Sequence, residues 1–173
     1  MENAVRKILT LLYDGAGALA ALFMIGCLSM VLASVAGRLF GFHLRGADAY
    51  AGYCMAATGF LALAHTLKRG EHIRVTLLLE RLGARGKHVL EIIAHAIAAF
   101  FSGAFAFFSA RLVYQSYAFN DISQGNDATP LWIPQIGMAL GAIVLFVAIM
   151  DEFVLHLTHR HRAAQSGELK LME

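Results

Sequence analysis

Residues 15–37 read GAGALAALFMIGCLSMVLASVAG, a run of 23 residues without an Asp, Glu, Lys, Arg or His. A helix rises about 1.5 Å per residue, so roughly 20 apolar residues cross a hydrocarbon core about 30 Å thick. Three more stretches of comparable length and polarity follow at residues 49–67, 92–110 and 132–150. The sequence therefore predicts an all-α integral membrane protein with four transmembrane helices.

The composition of the whole chain agrees with this prediction. Hydrophobic residues make up 58% of the 173 residues and charged residues 15%, against about 25% charged in ordinary soluble domains. The predicted spans leave room only for short loops and tails. We therefore expect one membrane domain over residues 1–173, ending in a flexible tail at about residues 160–173. The net charge of +2 gives no support to nucleic-acid binding.

The basic residues are distributed unevenly between the two sides of the predicted bundle. Eleven of the 14 Lys and Arg residues fall in the N-terminal tail, the loop between spans two and three, and the C-terminal tail. Basic residues in short loops are retained in the cytoplasm, so we expect both termini to be cytoplasmic. The three basic residues on the outer side are Arg38, Arg45 and Arg111.

The loop between spans two and three is too apolar to be a plain connector. On a helix, one face of this loop would carry the apolar side chains of Val75, Leu78, Leu79 and Leu82. The pattern predicts a short amphipathic helix at about residues 73–82, which lies in the inner membrane interface or packs beneath a partner protein.

Ionisable side chains are nearly absent from the predicted spans. Apart from thiols and phenols, only His65 and His95 fall inside them, whereas a translocation pathway usually leaves polar groups near the midplane. We expect these imidazoles at similar depth on neighbouring helices. They could ligate a haem iron, as in membrane cytochrome anchors, or bond to backbone and water at the interface. The sequence shows no catalytic constellation, and we expect no cofactor or metal.

The chain has two cysteines, Cys27 and Cys54, without a CxxC spacing. Counting along the spans places Cys27 near mid-span and Cys54 near the outer end of the next helix. We therefore expect two inert apolar packing residues at different depths.

Small residues recur at helical spacing inside the spans. Ser29, Ala33 and Gly37 follow one another at every fourth position in span one, and Gly137 and Gly141 form a GxxxG in span four. Lipid tails are as apolar as Leu, so helices in a bilayer associate by close backbone approach at such stripes. These residues could pack against other spans or against a second protein.

Aromatic residues are concentrated near the predicted outer interface, where amphipathic rings settle at headgroup depth. They are Phe40, Phe42, Tyr50, Tyr53, Tyr114, Tyr117, Phe119 and Trp132. Such a belt could also dock a partner outside the membrane. Arg38 and Arg111 could bind acidic groups of that partner or the phosphates of phospholipid.

Two motifs resemble those of a known family. Residues 67–75 read LKRGEHIRV at the end of span two, and residues 129–135 read TPLWIPQ at the start of span four. With its predicted spans, basic N-terminal tail and Arg38 after span one, most of the chain resembles the small membrane subunit of tripartite ATP-independent periplasmic (TRAP) transporters. Before span two, where many members carry a Trp and a Glu pair, this chain has Asp48 and Tyr50.

The resemblance implies one subunit of a three-component importer in the bacterial inner (cytoplasmic) membrane. A periplasmic binding protein would capture an organic acid, and a large multi-span membrane subunit would move it with a sodium gradient. This chain would be a non-catalytic scaffold whose partners are those two proteins and phospholipid.

The resemblance also suggests where contacts lie. The family motif at the cytoplasmic face would comprise Arg69, Gly70, His72, Ile73 and Val75. Trp132, Pro134 and Gln135 would lie at the periplasmic start of span four. The candidate partner contacts are then Ser29, Ala33, Gly37, Arg38, Trp132, Pro134, Gln135, Gly137 and Gly141.

Overall fold

The computed structural model of the chain describes residues 2–42, 44–68, 84–125 and 127–171. Most of these residues belong to helices α1 (Glu2–Phe40), α2 (Ala47–Lys68), α3 (Ala84–Ala118) and α4 (Trp132–Leu171). The described ranges contain an isolated bridge between Ile122 and Pro130 but no strand, which confirms the all-α prediction for them. The predicted interfacial helix at 73–82 and the family motif at residues 69–75 lie outside the described residues.

Three of the helices are long and apolar enough to cross a membrane, over Arg6–Phe40, Val89–Ala118 and Trp132–Val154. Each contains one of the predicted spans and is longer than it. Helix α2 covers the remaining predicted stretch. It is not among these three candidate spans, and Tyr, Thr and His residues occur along its 22 residues.

Successive helices run in opposite directions, as the order of close contacts between α1 and α2 shows. From one end of this pair to the other, the contacts join Gly17 to His65, Gly26 to Cys54, and Ser34 to Asp48. We call the end where α1 turns into α2 and α3 turns into α4 the hairpin end. The opposite end, where α1 and α3 begin and α2 ends, is the termini end.

Helices α2 and α4 form the centre of the bundle, with α1 packed on α2 and α3 packed on α4. The two central helices run in the same direction and approach very closely. A Cβ added at Gly141 would lie 2.5 Å from the backbone carbonyl carbon of Phe60, and one added at Gly137 would lie 2.9 Å from Cβ of Ala57. Only glycine permits this separation of the two backbones.

Small side chains fill the buried centre between α1, α2 and α4. Its buried residues are Tyr13, Ala16, Ala20, Ala57, Leu61, Ala64, Val144 and Ala148. Alanine dominates because a bundle inside lipid gains little by burying large apolar groups and much by close backbone contact. The large apolar residues point outward instead, as the exposed Leu22, Ile25 and Phe100 illustrate.

Two helices end in the same hydrogen-bonded cap. After α1, Gly41 adopts a left-handed conformation (φ 76°) and the Phe42 amide donates to the Gly37 carbonyl at 3.0 Å. After α3, Asn120 takes that role (φ 53°). These are Schellman caps, for which Gly and Asn are the preferred residues. They stop both helices at the hairpin end.

The expectation that the two cysteines lie at different depths was wrong. Cys54 Sγ lies 3.4 Å from the position of a Cβ on Gly26, the neighbour of Cys27, so both cysteines are level in the bundle. The reason is that α1 projects beyond the start of α2. Ser34, well before the end of α1, is level with Asp48 in the first turn of α2.

The α2–α4 contact predicts opposite effects for two Gly-to-Ala substitutions. Gly141→Ala forces a methyl group into the Phe60 backbone, and overpacking of this kind costs about 1–3 kcal/mol. Gly59→Ala is the matched control, since a Cβ there meets nothing within 4 Å and helix propensity favours Ala by about 0.5–1 kcal/mol. We expect the thermal unfolding temperature of the detergent-purified protein to fall for Gly141→Ala and to stay level or rise for Gly59→Ala. Equal temperatures for both variants would contradict the close contact.

Candidate functional site

Polar side chains gather at the two ends of the bundle. At the hairpin end they form a group that we call the loop cluster, which consists of Tyr50, Tyr53, Ser123, Asp127 and Thr129. Two hydroxyl groups donate to the Asp127 carboxylate, Tyr53 Oη at 2.9 Å and Ser123 Oγ at 2.8 Å. Thr129 Oγ1 and Tyr50 Oη lie 3.0 Å apart, within hydrogen-bond distance. The cluster thereby ties the α3–α4 connection to the first two turns of α2.

The backbone of the α3–α4 connection is folded to support this cluster. The Ser123 amide donates to the Thr129 carbonyl at 2.9 Å, and the Leu131 amide donates to the Asp121 carbonyl at 2.9 Å. The loop also packs on the α1–α2 turn, because a Cβ on Gly46 would lie 2.7 Å from Cβ of Asp127. With a φ of 79°, Gly46 is a position where glycine is required for both reasons.

Hydrogen bonds hold Asp127 in its charged form. The bond from Ser123 is the largest cause, bonds from Thr129 and Tyr53 add to it, and together they outweigh the effect of desolvation. They lower the pKa of Asp127 from 3.8 to about 2. A carboxylate that accepts several hydrogen bonds resists protonation because the bonds favour the charged state.

A second polar group at the hairpin end is open to its surroundings. Arg38 Nη2 lies 3.6 Å from Asp48 Oδ2, with side chains 73% and 81% exposed. Ser34 Oγ donates to the other oxygen of Asp48 at 3.0 Å. An exposed pair of this kind contributes about 0–1 kcal/mol to stability. Its charges are therefore accessible to other molecules at little energetic cost.

At the termini end a second group, which we call the basal cluster, joins three helices. It consists of Tyr13 and Asp14 on α1, His65 and Lys68 on α2, and Asp151 on α4. Lys68 Nζ forms an ion pair with the Asp151 carboxylate, and both side chains are less than a quarter exposed. Tyr13 Oη lies 3.5 Å from Asp151 Oδ2, and its ring centroid lies 5.2 Å from Lys68 Nζ. This group fixes the relative height of α1, α2 and α4.

The two histidines inside the predicted spans contact different helices. The His65 ring fits against Gly17 of α1, where a Cβ would lie 2.9 Å away, and its Nδ1 is 3.7 Å from Asp14 Oδ1. His95 Nδ1 lies 2.8 Å from the Glu91 carbonyl oxygen, and its ring stacks on Phe153 of α4. The structure thus directs the imidazoles to separate helix interfaces, and no observation favours the haem alternative.

Groups of Cys, Asp, Glu and His side chains are what hold metal ions in proteins. Within the described ranges of the chain, no three of these residues lie close enough together to hold a metal ion.

The small residues proposed as partner contacts fall into two sets. Gly137 and Gly141 face α2 of the same chain, and a Cβ on Gly37 would lie 2.6 Å from the Phe42 carbonyl oxygen of its own cap. Ser29 is exposed, with its hydroxyl bonded to the Ile25 carbonyl at 2.8 Å. Ala33 is half-buried. Gly37, Gly137 and Gly141 therefore make close backbone contacts within the chain. Ser29 and Ala33 lie on the surface of α1.

The TPLWIPQ motif forms the start of α4. The Trp132 and Tyr117 rings meet edge to face, with centroids 5.7 Å apart. Pro134 lies in the first helical turn, where its missing N–H has no intrahelical acceptor. The Gln135 Oε1 atom is buried and has no hydrogen-bond partner within the described part of the chain.

Sequence reasoning missed the basal cluster, although a signal for it exists. Asp14, Lys68 and Asp151 each directly border one of the charge-free runs. Two runs that end on the same side of a membrane place their bordering charges at the same depth, so Lys68 and Asp151 could have been paired. The contact of Tyr13 with this pair could not have been predicted, because it depends on the rotation of α1 about its axis.

The Lys68–Asp151 pair predicts a measurable coupling energy. Replacing Asp151 by Asn leaves the Lys68 ammonium without its partner in a partly buried site, which costs about 1–3 kcal/mol. We expect the single variants Asp151→Asn and Lys68→Gln to lower the thermal unfolding temperature of the purified protein. In a double-mutant cycle, the double variant should lose less stability than the sum of the losses of the two single variants. Strictly additive losses would show that the pair does not interact.

The loop cluster predicts acid sensitivity at the hairpin end. Because the pKa of Asp127 is lowered on folding, its contribution to stability is present above about pH 4 and is lost as the pH falls toward 2. Trp132, the one Trp of the chain, adjoins the loop and reports on it by fluorescence. We expect its emission to change between about pH 4 and pH 2 in the unmodified protein. This change should be absent in Asp127→Asn and retained in the control Asp48→Asn, and an unaltered profile in Asp127→Asn would contradict the assignment.

Comparison with known proteins identifies the family. Residues 27–159, well over half of the chain, match the family model described as tripartite ATP-independent periplasmic transporters, DctQ component. A comparison with curated proteins found no match. The match includes all of α2 and α3, parts of α1 and α4, and both sequence motifs, and it confirms the resemblance seen in the sequence. The chain therefore belongs to the DctQ family, the small membrane subunits of TRAP transporters.

Proposed function

We propose that this chain is a non-catalytic scaffold subunit of a sodium-coupled TRAP transporter in the bacterial inner membrane. In this proposal the complex imports an organic acid that a periplasmic binding protein delivers to a large membrane subunit. Family membership supports the assignment to a transporter complex. One structural observation carries the scaffold role, namely the close-packed and nonionic centre of the bundle between its two polar ends.

Two buried hydroxyl groups inside the bundle are bonded to the backbone. Thr58 Oγ1 donates to the Cys54 carbonyl at 2.9 Å and lies 3.3 Å from the Ala20 carbonyl oxygen. Ser102 Oγ donates to the Ala99 carbonyl at 3.2 Å. Hydroxyl groups satisfied within their own helices offer nothing to a passing solute. A pathway for an organic anion would need polar or ionisable groups at this depth, and so we assign the pathway to the large subunit.

We also propose that α2 is the fourth transmembrane span. It runs from the hairpin end to the termini end between α1 and α4, both of which can cross a membrane by length and composition. A helix packed along two spans for its whole length shares their environment. Its Thr58 and His65 side chains are tolerated there because they contact α1 rather than lipid.

The orientation follows from the charges at the two ends. Placing the termini end in the cytoplasm puts Arg6, Lys7 and Lys68 on the side where basic residues are retained. The hairpin end then faces the periplasm, and the exposed Arg38–Asp48 pair becomes available to the binding protein. Ser29 and Ala33, on the surface of α1, remain the candidate contacts with the large subunit.

Deleting the chain tests the scaffold role. In cells that keep the large subunit and the binding protein, we expect uptake of the transported acid to fall at least tenfold without this chain. Re-expression of the unmodified chain or of Gly59→Ala, whose added methyl group meets open space, should restore it. Proteoliposomes should transport when all three components are present and should not transport with this chain alone. Uptake that survives the deletion, or transport by the isolated chain, would overturn the proposal.

A further inference from the structure

A groove on the side of α3 and α4, which we call the lateral groove, contains side chains that the scaffold role does not use. It has a volume of about 510 Å³, within the range of about 300–1,000 Å³ that ligand-binding sites occupy. Its apolar wall is formed by Phe105, Phe108 and Leu112 of α3 and Met138 of α4. The groove lies toward the hairpin end, because Met138 is within two turns of the start of α4.

Three polar side chains complete the wall of the lateral groove, namely Ser109, Arg111 and Gln115. Arg111 is exposed. Among the residues whose side chains the structure describes, no carboxylate lies within ion-pair distance of its guanidinium. Ser109 is only 3% exposed, yet its hydroxyl has no hydrogen bond to another described residue. The groove therefore presents a cation and a buried hydroxyl that the described part of the chain leaves available to a ligand.

Arg111 lies inside the membrane-spanning part of α3, within Val89–Ala118. Tyr117 and Trp132, whose rings meet at the hairpin end, mark the level of the interface, because such rings settle at headgroup depth. Arg111 precedes Tyr117 by six positions, which corresponds to a rise of about 9 Å. A guanidinium attached this far inside a bilayer is costly unless it reaches an opposite charge, and the long Arg side chain can extend toward the lipid phosphates.

The side chains of the groove follow the order of the parts of a phospholipid. Gln115 lies nearest the interface, and Arg111 lies about one turn deeper on the same helix. Ser109 comes next, and Phe108 and Phe105 continue toward the middle of the bilayer. Headgroup, phosphate, ester group and acyl chain succeed one another in this same direction. Guanidinium groups bind phosphate through two parallel hydrogen bonds, and a hydroxyl can donate to an ester carbonyl.

We infer that the lateral groove binds an anionic phospholipid, with its phosphate at Arg111, an ester carbonyl at Ser109 and an acyl chain across Phe105 and Phe108. Arg111 is the one charged residue among those that line the groove. A headgroup with a net negative charge is therefore favoured over a zwitterionic one, whose ammonium group would find no carboxylate on the wall. The inference rests on the membrane embedding proposed above and goes beyond the scaffold role.

Native mass spectrometry of the complex with its large subunit tests the site. The detergent-purified complex is stripped of lipid and titrated with phosphatidylglycerol or with phosphatidylcholine of the same acyl composition. We expect phosphatidylglycerol to bind about tenfold more tightly than phosphatidylcholine, because a cation without a carboxylate partner favours a ligand with net negative charge. Equal affinities of the two lipids for the unmodified complex would overturn the inference.

Substitution of Arg111 tests the phosphate contact. Arg111→Gln should lower the affinity for phosphatidylglycerol about tenfold, and Arg111→Lys should restore part of the loss. Arg45→Gln is the matched control, because Arg45 is also exposed at the hairpin end and does not line the groove. This control should bind the lipid like the unmodified complex. An equal loss in Arg111→Gln and Arg45→Gln would reduce the effect to overall charge and overturn the site.

Two neighbouring rings test the acyl-chain contact. Phe107 and Phe108 are 63% and 60% exposed and meet edge to face, but Phe108 lines the groove and Phe107 does not. Phe108→Ala should therefore weaken the binding of phosphatidylglycerol, while Phe107→Ala should leave it unchanged. Both variants lose the same contact between the rings, so a general effect of that loss would appear in both. Equal affinities of the two variants would overturn the placement of the acyl chain.

Two further measurements identify other occupants of the groove. Glycerol phosphate, which has no acyl chains, should compete only weakly with the lipid. Equally tight binding of glycerol phosphate would mean a free phosphate ester and would overturn the inference. A photo-cross-linker placed at Leu112 should yield adducts with lipid, whereas adducts with the large subunit and none with lipid would assign the groove to a protein contact. Uptake after deletion of the chain is measured separately, so that failure of the scaffold role leaves the lipid result standing.

Discussion

The close approach of α2 and α4 is the contact on which the rest of the bundle depends. At Gly141 the two backbones leave no room for a side chain, so the interaction between them is made by many short van der Waals contacts. Inside a bilayer such contacts replace the hydrophobic effect as the main force between helices. With α2 and α4 fixed, α3 packs on α4, and α1 packs mainly on α2 with a smaller contact to α4.

This arrangement separates two kinds of chemistry by depth. The middle of the bundle consists mainly of Ala and other apolar residues with a few hydroxyl groups, whereas the described ion pairs and carboxylate hydrogen bonds occur at the ends. At the hairpin end, Asp127 joins the α3–α4 connection to α2. At the termini end, Asp151 joins α4 to α1 and α2. Each end is thus held by one acidic residue that several helices or loops share.

Much of the fold could be predicted from hydropathy, because the length and apolarity of a helix are local properties. Residues 15–37 predict α1, and Pro134 with Trp132 marks the start of α4. Contacts between helices are different, since they depend on the rotation and relative height of each helix. The GxxxG of Gly137 and Gly141 could serve any neighbour, and only the structure shows that the neighbour is α2 of the same chain.

The polar sites show the same division between local and non-local information. The cap that Gly41 forms at the end of α1 follows from a local signal, because a glycine stands just past the end of the apolar run. The depth of Cys54 relative to Cys27 does not follow from a local signal, because it depends on how far α1 projects beyond the start of α2. The loop cluster depends on Ser123 and Asp127 reaching Tyr53, some 70 residues away in sequence, which no spacing rule predicts.

The ion pair of Lys68 has a geometric consequence for the family motif. Lys68 is the last residue of α2, and the RGEHIRV sequence begins at the very next position. Because Asp151 anchors Lys68, the origin of the motif is set relative to α4 and to α1 through Tyr13. A shift of one helical turn in α4 would carry that origin with it. The ion pair is therefore the point at which a movement of α4 along its axis would reach the segment that joins α2 to α3.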